Sequence, residues 1–178
     1  FGNDSVFLGD GCDTVFPGPG SDVIDLSESA GCRDAIFFDE YFIDDSFDTV
    51  YGFAQGVTGD VVKLKGVSIL DLHVLPLIDV LSTPGGRIAD CLLRIIGQNI
   101  DTVHSLETHL NDGGMLETLL LNENEKAIVM SANSQETGEA QNLFFISKVN
   151  EKTEVNKLAV FLGNYMDIDN WHYENFIV

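Results

Sequence analysis

The chain has 178 residues and a formal net charge of −20, from nine Lys and Arg against 29 Asp and Glu. That balance excludes nucleic acid and anionic membrane surfaces as partners, because no basic patch exists to meet phosphate. Hydrophobic residues make up 44% of the chain and include twelve Phe, so it is not a permanently disordered acidic tail, and no apolar run reaches the ~18 residues of a membrane-spanning helix.

The chain opens on a nine-residue repeat. Asp4, Asp13 and Asp22 recur at spacing nine, with Gly2, Gly11 and Gly20 two residues before them and Val6, Val15 and Ile24 two residues after. Gly9 and Gly18 mark the turns ahead of the second and third copies. Glycine admits positive φ, so alternate glycines let main-chain carbonyls turn toward one point, where the Asp adds a carboxylate. Calcium takes about six to eight oxygens at about 2.3–2.6 Å and tolerates irregular geometry. The aliphatic residue after each Asp is expected to point inward from a short strand.

Three copies in register resemble G-G-x-G-x-D-x-U-x, the calcium-binding nonapeptide of RTX (repeat-in-toxin) proteins. The resemblance implies a parallel β-roll in which each nonapeptide is half of one coil. Asp4 and Asp22 then flank one calcium ion, and Asp13 faces the opposite side. A degraded fourth half-coil reads Gly31-Cys32-Arg33-Asp34-Ala35-Ile36, with twelve residues rather than nine between Ile24 and Ile36. Three residues must therefore bulge. The implied metal-binding set is Asp4, Gly9, Gly11, Asp13, Gly18, Gly20, Asp22 and Asp34. Arg33 departs from the family pattern and weakens the second site.

Beyond the roll, assigned to residues 1–37, the segments Asp48-Thr49-Val50-Tyr51-Gly52-Phe53 and Asp60-Val61-Val62-Lys63-Leu64 resemble those that close RTX rolls. Strands there are expected to cap the apolar end of the last coil. The acidic run Asp39, Glu40, Asp44, Asp45 and Asp48 is read as a solvated edge rather than a further calcium site, since no glycine pattern fixes its geometry. Residues 67–122 are the least legible. Leu72–Leu81 is apolar but broken by Pro76, and the apolar stretch Ile88–Ile96 suits either a strand or a helix. A helix is predicted over 101–110, with Asp101 as cap, Val103, Leu106 and Leu110 on one face and Asn111-Asp112-Gly113-Gly114 as the stop. Residues 143–149 and 155–162 around a turn at Asn150 read as a β-hairpin. Trp171, Tyr173 and Phe176 are expected to pack on that hairpin.

The ending Glu174-Asn175-Phe176-Ile177-Val178 is similar to the C-termini of RTX exoproteins, which type I transporters export by an uncleaved C-terminal signal. Here Asn175 stands between the acid and the apolar triplet. Phe1-Gly2-Asn3-Asp4 reads as the second half of a nonapeptide, so the chain is expected to be the C-terminal piece of a longer protein without an N-terminal signal peptide. The expected fold is all-β dominated: a parallel β-roll, then a β-rich module over 38–178 with one or two short helices.

Catalytic patterns are absent from the sequence. His104 and His109 are five apart rather than the four that one metal on a helix requires, His73 and His172 are isolated, and no G-x-S-x-G occurs. Stacked strands lie about 4.8 Å apart and disulfides need Cα atoms roughly 4.4–6.8 Å apart. Cys12 and Cys32, one coil apart, are thus either a disulfide, with Cys91 left over and buried, or two free thiols. The resemblance implies a non-enzymatic module for calcium binding, calcium-dependent folding and type I secretion. The parent is then an extracellular or cell-surface protein of surface-layer or adhesin type that self-assembles. The alternative is the tail of a secreted RTX metalloprotease or lipase.

Overall fold

The computed structural model describes residues 1–29, 31–39, 46–65, 73–74, 78–79, 86–87, 91–96, 100–111, 119–120, 122, 125–134, 136 and 138–176. Asp4, Asp13, Asp22, Asp34, Asp48 and Asp60 each stand at the start of a short strand, and successive strands enter two different sheets. These are β1 (Ser5–Phe7), β2 (Thr14–Val15), β3 (Val23–Asp25), β4 (Ala35–Asp39), β5 (Asp48–Tyr51) and β6 (Val61–Lys65). β1, β3 and β5 pair in parallel, with Val6, Ile24 and Val50 in register. β2, β4 and β6 pair in parallel in the other sheet, with Val15, Ile36 and Val62 in register. Side chains alternate across a strand, so at least one aliphatic residue per strand points between the sheets. Ile24, Ile36 and Val50 are fully buried there and Val62 nearly so.

The middle of the chain adds β7 (His73–Val74), β8 (Ile78–Asp79), β9 (Gly86–Arg87), β10 (Cys91–Ile96), α1 (Val103–Leu110) and β11 (Leu119–Leu120). Within Ile88–Ile96, which allowed strand or helix, residues 91–96 are strand. Leu92, Leu93 and Ile95 are all buried, which explains why no alternation was visible. The helix begins two residues later than the acid expected to cap it. Thr102, not Asp101, is the N-cap, and its hydroxyl accepts from the Ser105 N–H while the Ser105 hydroxyl accepts from the Thr102 N–H. Asn111 ends it, its N–H donating to the Glu107 carbonyl. The expected glycine stop at 113–114 lies outside the described residues, as do Glu40, Asp44 and Asp45.

β12 (Lys126–Ala132), β13 (Gln141–Val149) and β14 (Lys152–Leu162) complete the large sheet, ordered β1-β3-β5-β14-β13-β12-β10-β7. The β13–β14 hairpin turns at Asn150 and Glu151, both at positive φ (51° and 66°), as a tight turn matched to strand twist requires. Among the described residues all ladders are parallel except β12–β13 and β13–β14. The fold is thus strand-dominated, mostly parallel, with a single α-helix among the described residues.

Both faces of β13 are buried. Leu143 and Phe145 join the core between the sheets, while Phe144 and Ile146 join a second core under Leu106 and Leu110 of α1. The end of the chain closes the first core. Trp171 is fully buried against Phe53, Phe161 and Phe176, with ring centroids 5.0–5.4 Å apart. Its indole N–H donates to Gln141 Oε1. Aromatic packing here therefore reaches the closing strands as well as the hairpin. Phe176 forms a parallel bridge with Val62, so the terminal segment extends the smaller sheet beyond β6.

Candidate metal centre

The aspartates that open the strands form two columns, one per sheet. In the first, Asp22 Oδ1 accepts from the Asp4 N–H at 2.7 Å and Asp48 Oδ1 accepts from the Asp22 N–H at 2.8 Å. In the second, Asp34 Oδ1 accepts from the Asp13 N–H at 2.8 Å and Asp60 Oδ1 accepts from the Asp34 N–H at 2.9 Å. Each carboxylate thus spends one oxygen on the backbone of the preceding circuit. The structure brings together Asp4 with Asp22 and Asp13 with Asp34, as the spacing predicts.

Asp48 and Asp60 belong to the same columns, which corrects the expectation of a solvated edge at Asp48. It is 3% exposed and Asp60 2%. The legible signal was the two-residue step from Asp48 to Val50 and from Asp60 to Val62, the same step as from Asp22 to Ile24.

The second oxygens are the notable ones. Asp13 Oδ2, Asp22 Oδ2 and Asp34 Oδ2 are buried without a hydrogen-bond partner, and so is Glu28 Oε2. Stranding a charged oxygen away from water costs several kcal/mol unless a proton or a cation compensates (about 1–3 kcal/mol even for a neutral group). Burial pushes the Asp34 carboxyl above its ordinary range, and the charges of Glu28 and Asp13 push it further. Asp60 is raised as well, first by burial and then by Asp34 and Glu28, against the hydrogen bonds it accepts from Ala54 and Asp34. Glu28 comes from the three-residue bulge, where its Oε1 accepts from the Cys32 N–H at 2.5 Å. The bulge therefore adds an acid to the second column, which sequence spacing alone did not reveal.

The glycines sit where the turns stack. Gly18 and Gly20 share one end of the strands with Gly2, Asp4 and Asp22, while Gly9 and Gly11 share the opposite end with Asp13 and Asp34. All four have positive φ. Gly20 is required sterically: a Cβ there would lie 2.2 Å from the Gly2 carbonyl oxygen. The Gly2 and Gly20 turns are thereby held close. Gly11 leaves room for the Asp13 carboxylate, whose Oδ2 would be 3.4 Å from an added Cβ. Cys12 and Cys32 are paired in a disulfide, Cα atoms 5.0 Å apart, next to Asp13 and near Asp34. The side chain of Cys91 lies outside the described residues. Arg33 Nη2 donates to the Glu174 carbonyl.

Among the described residues no three His, Cys, Asp or Glu side chains converge in metal-ligating geometry. The columns offer buried, unpartnered carboxylate oxygens, hard donors of the kind calcium takes and not the thiolate and imidazole donors of zinc. His104 is exposed on α1, and His109 Nδ1 donates to the Ser105 carbonyl at 2.7 Å. No family model, curated protein or solved structure matches the chain.

Proposed function

We propose that the chain is a calcium-dependent folding and secretion module of RTX type, with residues 1–37 acting as a short β-roll and residues 38–178 as its capping and secretion module. The observation that carries this reading is the pair of column oxygens, Asp22 Oδ2 and Asp34 Oδ2, buried with no partner on residues 1% and 0% exposed. Calcium, when bound, supplies the positive charge that these oxygens lack.

The residues divide the work. Asp4, Asp13, Asp22 and Asp34 bring carboxylates to the stacked turns, and Gly9, Gly11, Gly18 and Gly20 turn main-chain carbonyls toward them. Without a cation, a chain of net charge −20 repels itself and its columns favour the open state. At extracellular-module affinity, about 10⁻⁴–10⁻³ M, the module stays unfolded in a low-calcium cytoplasm and folds outside. Phe176 is 4% exposed in the folded chain, so a C-terminal signal is presented to a type I exporter only before folding. The parent is then an extracellular or cell-surface protein, of the self-assembling surface-layer or adhesin kind.

The test is a calcium titration followed by circular dichroism. Strand signal should be lost in EGTA, return with calcium and return far less with magnesium, whose octahedral demands a carbonyl-rich turn does not meet. An unchanged spectrum and melting temperature in EGTA would refute the reading.

A further inference from the structure

A second feature is unrelated to the acidic columns. An open cleft of about 830 Å³ lies between the turn after β5 and the segment that follows β14, within the ~300–1,000 Å³ of ligand sites. In a chain that is 21% charged, no Asp, Glu, Lys or Arg lines it among the described residues. Its rim carries Tyr51 and Tyr165, 41% and 88% exposed. Asn164 and Asn170 also line it, and among the described residues their side-chain amides make no hydrogen bond.

The walls are fixed in place. Tyr51 pairs in register with Leu162, the last residue of β14, so one ladder sets both sides. Gln55 is clamped, its Nε2 donating to Gln141 Oε1 at 3.2 Å and its Oε1 accepting from the Asp167 N–H at 2.9 Å. Phe53 at the base is locked between Phe161 and Trp171. The Gly138 N–H donates to the Met166 carbonyl at 2.8 Å and holds the third side.

This composition selects a ligand class. An anion is repelled by the net charge of the chain, and a cation finds no carboxylate in the cleft. A wholly apolar ligand would strand the Asn164 and Asn170 amides. A neutral polyhydroxylated ligand satisfies both kinds of group: its C–H faces lie against the tyrosine rings, and its hydroxyls exchange hydrogen bonds with the amides. Tyrosine supplies such contact at low entropic cost, having two side-chain torsions to fix. We propose that this cleft, formed by Tyr51, Tyr165, Asn164 and Asn170, is a binding site for neutral saccharide chains.

Native affinity electrophoresis of the full chain in calcium tests this, in gels containing dextran, hydroxyethyl cellulose or galactomannan, with carboxymethyl cellulose as the anionic counterpart. At least one neutral polymer should retard the protein, and carboxymethyl cellulose should not. Tyr51→Ala and Tyr165→Ala, both at exposed positions, should each weaken the retardation about tenfold with the Trp171 near-ultraviolet signal unchanged, whereas His104→Ala on the exposed face of α1 should have no effect. Three results overturn the proposal: no retardation in any neutral gel, equal retardation by the anionic polymer, or retardation that survives the Tyr51→Ala/Tyr165→Ala double substitution. None of these readouts depends on the calcium reading, since the folded protein is the starting point.

Discussion

The side-chain amide of Asn175 donates to the Asp60 carbonyl at 2.9 Å, the place that the Val61 N–H takes on the Asp34 carbonyl one circuit earlier. Asn175 also donates to the Gly56 carbonyl and accepts from the Gly56 and His172 N–H groups. A neutral amide thus ends the second acidic column and satisfies the polar groups that a further circuit would have paired. In the first column the same end is reached differently, because Ala159 of β14 lies in register with Asp48.

Asn175→Ala should therefore destabilise the folded protein by about 3 kcal/mol, the cost of leaving several buried backbone groups unpaired. Asn175→Asp should cost more at neutral pH, since it removes both donated bonds and adds a charge beside Asp60. Denaturant unfolding in saturating calcium measures both. A loss below about 1 kcal/mol for each would mean that water replaces the amide.

The pH dependence of the calcium-free protein has a definite sign. Asp34 and Asp60 have folded pKa values raised above the ordinary 3.8, so the folded state holds more protons than the unfolded one from that value up to the raised ones. Stability then falls as pH rises through this interval. In EGTA, any folded population should be more stable at about pH 4.5 than at about pH 7.5, and Asp34→Asn with Asp60→Asn should flatten the slope. Thermal melts across the range decide it.

Within the first column, Asp22→Asn keeps an oxygen to accept from the Asp4 N–H but removes the charge. On the proposed calcium reading it should raise the calcium concentration needed for folding by at least about tenfold, a loss of ~1.4 kcal/mol. Asp25→Asn, at a position whose Oδ1 only accepts from the Ser27 N–H, should leave the midpoint in place. Calorimetric titration of the two variants separates a ligand from a bystander acid.

The Cys12–Cys32 disulfide closes a loop with a sequence separation of 20. Chain-entropy arguments give about 3 kcal/mol for such a loop. Reduction, or Cys12→Ser with Cys32→Ser, should lower the unfolding free energy by about that amount and raise the calcium midpoint, because the bridge helps hold the turns of the second column together. Equal melting curves with and without reductant would show that the bond constrains nothing.

Local signals in the sequence determined the strand-forming step from aspartate to aliphatic residue, the pairing of Asp4 with Asp22 and Asp13 with Asp34, the hairpin at Asn150 and the helix leading to Leu110. Each rests on spacing within one circuit or one turn, where backbone geometry and burial act over a few residues. What the fold alone decided involves partners far apart in the chain. Asp48 and Asp60 joined the columns because parallel strands stack regardless of loop length: the two-residue step to Val50 and Val62 was legible, but a nine-residue count does not place them in a column. Glu28 entered the second column because a bulge must go somewhere, and its direction is set by the turn it meets. Asn175 became a column end only because Trp171 and Phe176 found the core between the sheets, at a separation of 115 residues from Asp60. Burial against distant apolar surface is non-directional and proportional to area, so the sequence names its participants but not which polar neighbour each one carries into place.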